Sequence, residues 1–343
     1  MRKQPLVSIV MPAYNAQHYI RQAVDSILQQ SYSHFELIII DDCSTDDTLP
    51  ILHSYNDPRI ILLTQDTNKG VGATSARGME EAKGDYIARM DADDIMLPQR
   101  LEKQVVFMQA NPQYGAIGTH YELFSDDTTK GRKVIIPITN DAIKFRLLFT
   151  FPFCHPTMMF RTSILREHDL NYDPAHPVAE DYALLCELAD KTEFYNLPDS
   201  LLRYRKHAQS ISTVKHHANA EGKWHHATKY HATTLSASLT QIPEYALLKT
   251  AYFMNEWEKI RQRPYDFAHL MRCIAEDYNQ TTNTNERLTK GEAAELLWRA
   301  LLFKAKMLKK PLALLRIALS KDGMVLALLH HIIRQLRLRL LRH

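Results

Sequence analysis

The 343-residue chain carries only four cysteines, Cys43, Cys154, Cys186 and Cys273, and no two of them form a CxxC pair. That spacing argues against a zinc site, and a chain of this length needs no disulfide framework to hold a core. Long apolar runs are missing too: no window reaches the roughly 18 apolar residues that span a bilayer. Met1–Pro5 lead straight into a strand-like segment, without the apolar stretch of a secretory leader. These absences favour a reducing cytoplasm. No internal repeat or low-complexity tract interrupts the chain. The first strand ends in Pro12-Ala13-Tyr14-Asn15, so no Gly-rich phosphate loop opens the sequence.

What is present is an ordinary globular composition, 45% hydrophobic and 24% charged, enough for a sizeable core and against bulk disorder. Charge is unevenly placed. From Leu301 to His343 stand Lys304, Lys306, Lys309, Lys310, Arg316, Lys321, Arg334, Arg337, Arg339 and Arg342 against Asp322 alone, a net +9. The remainder holds 32 basic and 38 acidic residues, a net −6. An acidic body with a strongly basic tail points to an acidic partner for the tail.

Short apolar, β-branched runs alternate with helical patterns over the first 90 residues. Leu6–Met11, Phe35–Ile40, Arg59–Leu63 and Asp85–Met90 read as buried strands. Between the first two, Asn15 is placed to cap a helix whose apolar face is Ile20, Val24, Ile27 and Leu28. A second helix starts at Ser44 or Asp46, with Pro50 tolerable only in its first turn, and a third covers Ala73–Ala82. Strand and helix in alternation mean βαβ units and an α/β fold with a mostly parallel central sheet. Further on, a helix is expected over Pro98–Met108. Strands are expected over Gly115–Phe124, Val134–Ile136 and Thr157–Phe160, a helix over Ala179–Asp190, and a last extended piece over Leu201–Arg205. Beyond about Ser212 the pattern turns helical. The expected division is a catalytic domain over 1–215 and a helical C-terminal region over 216–343.

Ligands of such sheets bind at the carboxyl ends of strands. Polar clusters fall there: Tyr14-Asn15, Asp41-Asp42 and Asp91-Ala-Asp-Asp94. Alternate carboxylates in the DxD arrangement can converge on one hard divalent ion, Mg2+ or Mn2+, which in turn can hold a diphosphate. Taken alone, the same residues read equally as an acidic turn capping the next helix.

Several motifs stand in register. Val7-Ser-Ile-Val-Met-Pro-Ala-Tyr-Asn15 is followed by Phe35-Glu-Leu-Ile-Ile-Ile-Asp-Asp-Cys-Ser-Thr-Asp-Asp-Thr48. Then come Asn68-Lys-Gly, Ala76-Arg77, Ala82-Lys-Gly-Asp-Tyr-Ile87 and Asp91-Ala-Asp-Asp94. His155-Pro-Thr-Met-Met-Phe-Arg161, Glu180-Asp181 and Tyr204-Arg-Lys-His207 complete the series. In this order they closely resemble glycosyltransferase family 2 over about residues 6–212. The resemblance implies a GT-A-type nucleotide-binding domain, a nucleoside diphosphate sugar donor (a UDP-sugar), inversion at the anomeric carbon, and Mn2+ or Mg2+ as cofactor. It places Pro12, Ala13 and Tyr14 along the nucleoside, Asp42 on the base and Arg77 on the nucleotide. Asp91 falls to the ribose or the ion, Asp93 to the metal, Asp94 to the donor sugar and His207 to the metal or diphosphate. Asp181 becomes the catalytic base, with Glu180 orienting the acceptor or supporting it. An acceptor hydroxyl needs such a carboxylate on the face opposite the departing diphosphate. Without the resemblance, Glu180-Asp181 reads as favourable charge at a helix N-terminus, and His155 as a loop histidine or an acceptor-side group.

The QxxRW motif and flanking membrane spans of processive relatives are missing, which favours single addition over polymerisation. The implied acceptor is a hydroxyl of a glycan or lipid-linked sugar in cell-surface polysaccharide or lipooligosaccharide synthesis. Two rivals stay open: a nucleotidyltransferase that makes nucleotide sugars, against which the missing Gly-rich loop counts, and a non-catalytic nucleotide-sugar-binding protein.

In the C-terminal quarter, His216, His217, His225, His226 and His231 read as a solvated helix face rather than a metal site. In the tail Val325, Leu329, Ile332, Leu336 and Leu340 make an apolar stripe, with Arg334, Arg337 and Arg342 largely off it. Such a helix suits an anionic membrane surface on the inner face of the cell membrane, or packs on protein. It lacks the aromatic interleaving of a nucleic-acid binder.

Overall fold

The computed structural model describes residues 4–126, 131–173, 179–207, 216–241, 245 and 264–282. The chain divides into two compact units, Met1–Ile143 with Phe151–Lys223, and Lys144–Thr150 with Trp224–His343.

The first unit is built on one sheet in the order β3-β2-β1-β4-β8-β6-β9-β5, with β7 paired to β6. Its first half consists of β1 (Val7–Ala13), β2 (Phe35–Asp41), β3 (Ile60–Thr64) and β4 (Tyr86–Arg89). These four strands are all parallel. The joining helices are α1 (Ile20–Leu28), α2 (Thr48–His53) and α3 (Val71–Glu81). In α1, Ile20, Ala23, Val24 and Ile27 are buried at helical spacing, so the amphipathic face lies on the sheet. In β1 Val7, Ile9, Val10 and Met11 are all fully buried, as a strand covered on both faces must be. At Gly78 of α3 an added Cβ would lie 2.4 Å from Val10 Cγ1 and 2.6 Å from Ile40 Cδ1, so the helix backbone rests almost directly on β1 and β2.

The second half is mixed. β5 (Ile95–Met96), β6 (Tyr114–Phe124), β7 (Arg132–Val134), β8 (Met159–Arg161) and β9 (Glu193–Arg205) pair antiparallel except for β6 with β9. The mostly parallel sheet expected from the alternation thus holds for β1–β4 and gives way after β4. There β5 follows the acidic turn directly and pairs back on β9. Helices α4 (Arg100–Ala110), α6 (Thr162–Glu167) and α7 (Glu180–Leu188) complete this part, and α5 (Asn140–Leu147) begins in it and runs on into the second unit at Lys144. Helices α5 and α6 were not foreseen, because short helices with two or fewer turns show little periodicity.

Asn15 does not cap α1. The helix begins at Ile20 after Tyr19, without a side-chain cap. Asn15 instead takes φ 48°, and its Oδ1 accepts from Thr45 N at 2.8 Å while its own N–H donates to Ser44 Oγ at 3.0 Å. It ties the turn after β1 to the turn after β2. At α2 the N-cap is Asp47, without a side-chain cap, and Asp46 before it accepts from Thr48 N through Oδ1 at 2.9 Å.

In the second unit the described helices are Ala237–Thr240, Pro264–Thr282 and the part of His216–Thr234 from Trp224 onward. His226 and His231 are buried here, unlike the solvated face expected, whereas His225 is exposed. His231 Nε2 donates to Leu148 O at 2.7 Å, so Nδ1 accepts from the Tyr245 hydroxyl. Burial holds this imidazole down at about 4. The side chains of His216 and His217 and the basic tail 301–343 lie outside the described residues. Among the described residues no helix is long and apolar enough to cross a membrane.

Candidate active site

The carboxyl ends of β1, β2 and β4 lie side by side, because β1 pairs with both neighbours and Ala13 stands opposite Asp41. At the end of β1, Pro12 is half-buried, Ala13 is buried, and Tyr14 stands 49% exposed. A large ring left open to solvent at a strand end is available to a flat ligand.

Asp42 is buried at this rim, and its N–H donates to Ala13 O at 2.8 Å. Its Oδ1 accepts from Gln65 Nε2 and Lys69 N, both at 2.8 Å, and its Oδ2 from Gly70 N at 2.9 Å. The carboxylate therefore fixes the loop that leads into α3. Gly70, at φ 84°, is the residue before that helix, a backbone conformation that a side chain would strain. A carboxylate has about four acceptor positions; one on Oδ2 remains for a ligand. Arg77, two turns into α3, donates from Nη1 to Thr64 O at 2.7 Å at the end of β3.

After β4 the chain makes the acidic turn. One ligand atom each from Asp91, Asp93 and Asp94 lie within 4.8 Å of one another. Asp91 is paired at 2.8 Å with Arg89 Nη2, a guanidinium only 2% exposed. Asp93 Oδ2 lies 2.8 Å from His207 Nε2. Asp94 is 1% exposed; its Oδ1 accepts from Arg205 N at 2.8 Å, and its Oδ2 is buried with no hydrogen-bond partner. Burial first, and then the charges of Asp93 and Asp91, push the Asp94 carboxyl well above the usual range. A buried carboxylate oxygen left without a partner among oxygen donors is what a hard divalent cation would satisfy. The donor set thus fits Mg2+ or Mn2+.

Glu180 and Asp181 open α7, after Ala179 in the left-handed region at φ 70°. Glu180 packs its methylenes on the first turn of α3: a Cβ built on Gly72 would stand 3.4 Å from Glu180 Cγ. Burial, with the Asp181 charge next, raises the Glu180 carboxyl to about 7. Asp181 is half-buried, and its Oδ1 accepts from Tyr182 N at 2.7 Å. The charges of Arg89, Asp181, Glu180 and Asp91 all act on the fully buried Tyr172. The start of α7 and the acidic turn therefore share one electrostatic neighbourhood. Tyr172 bonds His155 Nε2 at 2.7 Å, and burial holds that imidazole down at about 3.

The residues the resemblance ascribes to the nucleoside and the cation thus stand at the carboxyl ends of β1, β2 and β4 or just after β9. Pro12–Tyr14 and Asp42 sit on the β1–β2 side, Asp91, Asp93, Asp94 and His207 on the β4–β9 side, and Glu180 joins α7 to the start of α3. Arg77 stands toward β3. Sequence reasoning passed over Arg89 and Tyr172. Arg89 had a readable signal, a lone cation in the apolar strand before an acidic turn, since a buried charge requires a partner. A separate depression of about 840 Å³, lined by Lys83, Asp85, Arg161 and Arg166 among others, opens toward the start of β4, the end opposite the acidic turn.

Comparison with known proteins fits this geometry. Glycosyl transferase family 2 matches residues 8–169. An uncharacterized glycosyltransferase of Haemophilus influenzae is 34% identical over 231 residues, 64% of this chain and 72% of that one. The chain belongs to glycosyl transferase family 2. A second family relative, a UDP-Glc:alpha-D-GlcNAc-diphosphoundecaprenol beta-1,3-glucosyltransferase of Escherichia coli, is 32% identical over 213 residues, 61% of this chain and 81% of that one. Among solved structures, a mannosyltransferase of Pyrobaculum calidifontis in complex with GDP-Man and Mn2+ superposes with a TM-score of 0.53 at 16% identity, over 98% of this chain and 88% of that one. The fold is GT-A type, and the chain is a glycosyltransferase.

Proposed function

We propose that this family 2 enzyme transfers a sugar from a UDP-sugar to a hydroxyl of a glycan or lipid-linked acceptor, with inversion, in cell-surface glycan synthesis. The observation that carries the reading is the convergence of Asp91, Asp93 and Asp94, with one buried Asp94 oxygen left for a ligand. Lipid-linked acceptors and a UDP-sugar donor are the chemistry named for the Escherichia coli relative.

In this reading residues 1–215 form the catalytic domain. Pro12, Ala13 and Tyr14 line the nucleoside with Tyr14 against the base, Asp42 accepts the base N–H on its remaining Oδ2 position, and Arg77 faces the nucleotide. Asp91 and Asp93, with His207, hold Mn2+ or Mg2+, and Asp94 faces the donor sugar. Bound there, the cation neutralises charge on the diphosphate leaving group. Asp181 takes the proton of the acceptor hydroxyl as its oxygen bonds to the anomeric carbon and the sugar–diphosphate bond breaks on the opposite face. Glu180, its carboxyl raised to about 7 by burial and then by the Asp181 charge, orients the acceptor or supports Asp181. The basic tail 301–343 holds the protein against an anionic membrane where the acceptor resides; each basic residue near such a surface adds about 1 kcal/mol.

The test is a panel of UDP-sugars and GDP-mannose with the purified chain, with and without Mn2+. UDP release that depends on Mn2+, with a product of inverted anomeric configuration by NMR, is expected. Pyrophosphate release, or binding without turnover, would replace this reading with one of its rivals. Sedimentation with anionic vesicles, lost on deleting 301–343, tests the tail.

A further inference from the structure

Arg205 closes β9 and is only 3% exposed. Its Nε donates to the backbone oxygen of Asp93 at 2.7 Å, and its own N–H donates to Asp94 Oδ1 at 2.8 Å. Its Nη1 pairs with Asp126 and its Nη2 with Gln22 Oε1. The guanidinium lies over Tyr19 at 4.8 Å and Phe124 at 4.6 Å. Every nitrogen of the planar fork is thus committed to protein, and two aromatic rings fix its plane. Tyr19 also packs 4.8 Å from the His207 ring.

The consequence falls on the acidic turn. From the β4 side it is held by Arg89 through Asp91. From the β9 side it is held by Arg205, which grips two consecutive residues at once. The bond to its carbonyl fixes the Asp93 peptide plane, and the bond to Asp94 occupies Oδ1 and leaves Oδ2 without a hydrogen-bond partner. A buried cation this close to three carboxylates would also repel a divalent ion, unless its charge were balanced. Asp126, which is more than half exposed, supplies that balance.

We infer that Arg205, with its charge balanced by Asp126, is a positioning residue that pre-orients Asp93 for the divalent cation and fixes Asp94 beside it. The inference rests on the proposal that Asp93, with Asp91 and His207, holds the cation. With Nε, Nη1 and Nη2 each bonded to protein, the guanidinium acts through the acidic turn, so its effect is on cation affinity first and turnover second.

The experiment is Mn2+ titration of the full chain by calorimetry, without donor, for wild type, Arg205→Met, Arg205→Lys and Asp126→Asn, with melting temperatures alongside. Arg205→Met is expected to weaken Mn2+ by roughly tenfold or more, as loss of a ligand-orienting partner does. Arg205→Lys, which reaches one acceptor at a time, falls between. Asp126→Asn keeps the hydrogen bond but uncovers the charge, and is expected to weaken Mn2+ about threefold or more at low salt, less at high salt. A merely structural arginine would lower the melting temperature and leave the Mn2+ affinity of the folded protein unmoved; that result overturns the inference. Unchanged affinity in Asp126→Asn overturns it even if Arg205→Met does not fold. Failure of wild type to bind Mn2+ would instead remove the cation reading on which both stand.

Discussion

His207 Nε2 and Asp93 Oδ2 stand 2.8 Å apart across 114 residues of sequence, closing the acidic turn from the end of β9. With Asp93 as acceptor, the proton of that bond sits on Nε2, and a cation at Asp93 meets an imidazole that must either yield the proton or stay behind the carboxylate as its orienting partner. Two variants separate these. His207→Gln keeps a side-chain N–H for Asp93 but offers no ring nitrogen; His207→Ala offers neither. We expect His207→Ala to weaken Mn2+ by roughly 10- to 100-fold in calorimetry. If His207→Gln matches wild type, the histidine orients; if it matches alanine, the ring nitrogen is a ligand.

Asp181→Asn tests the base. It stands half-buried in the first turn of α7 beside Glu180, its Oδ1 accepting from Tyr182 N. The variant is expected to lose roughly 10²- to 10⁴-fold in kcat, the range for a general base, while UDP affinity stays within a factor of two or so. Retained turnover at saturating acceptor would remove Asp181 from the role.

The sequence made the rim legible because each cluster directly follows a strand, and parallel strands bring their carboxyl ends together whatever the loops do. Asp42 shows where that logic stops. Its place at the end of β2 was readable, but its three N–H partners come from residues 65–70, and nothing in the local pattern marks that loop as folding back on it. Asn15 misled for a related reason: a capping residue type before an apolar face looks local, yet its partners lie about 30 residues away. In the mixed half, strands were expected close to β7 and β8, at Val134–Ile136 and Thr157–Phe160, but β5, two residues long, is too short for period-two alternation, and the antiparallel pairing has no local signal. Arg205 could be named as a neighbour of His207 but not as a clamp, since its partners are scattered from Gln22 to Asp126.

Tyr14 is exposed enough to be removed without loss of core packing. If a base stacks on it, Tyr14→Ala gives up roughly 1–3 kcal/mol of stacking, or about 5- to 150-fold in UDP affinity, with the melting temperature unchanged. Competition calorimetry with UDP and uridine measures it; equal loss for both ligands places the effect on the base. An unaltered Kd would clear Tyr14 of any contact.

Gly78→Ala probes the packing beneath the site. The new methyl would lie 2.4 Å from Val10 Cγ1 and 2.6 Å from Ile40 Cδ1, distances no real contact tolerates. Helix propensity favours alanine by roughly 1 kcal/mol, but overpacking costs about 1–3 kcal/mol, so the net is destabilising. A urea midpoint at or above wild type would show that α3 has room to lift from the sheet.

Glu180 gives a pH dependence whose sign follows from its burial. Its carboxyl titrates at about 7 in the folded protein, raised by burial first and by Asp181 second, against an ordinary value of 4.5. Below about pH 4.5 both folded and unfolded chains keep this proton, and the group takes nothing from stability. Between 4.5 and 7 the unfolded chain releases the proton and the folded chain does not, so stability falls as pH rises; above 7 the loss is complete. Glutamine is neutral throughout. In metal-free buffer, Glu180→Gln and wild type should therefore have similar melting temperatures at pH 5, and the variant should be the more stable at pH 8, by up to ~3 kcal/mol from the size of the shift. A gap that stays constant from pH 5 to 8 would mean that Glu180 is already ionised beside Asp181. The crowded, apolar contact with α3 at Gly72 would then have to accommodate two adjacent charges.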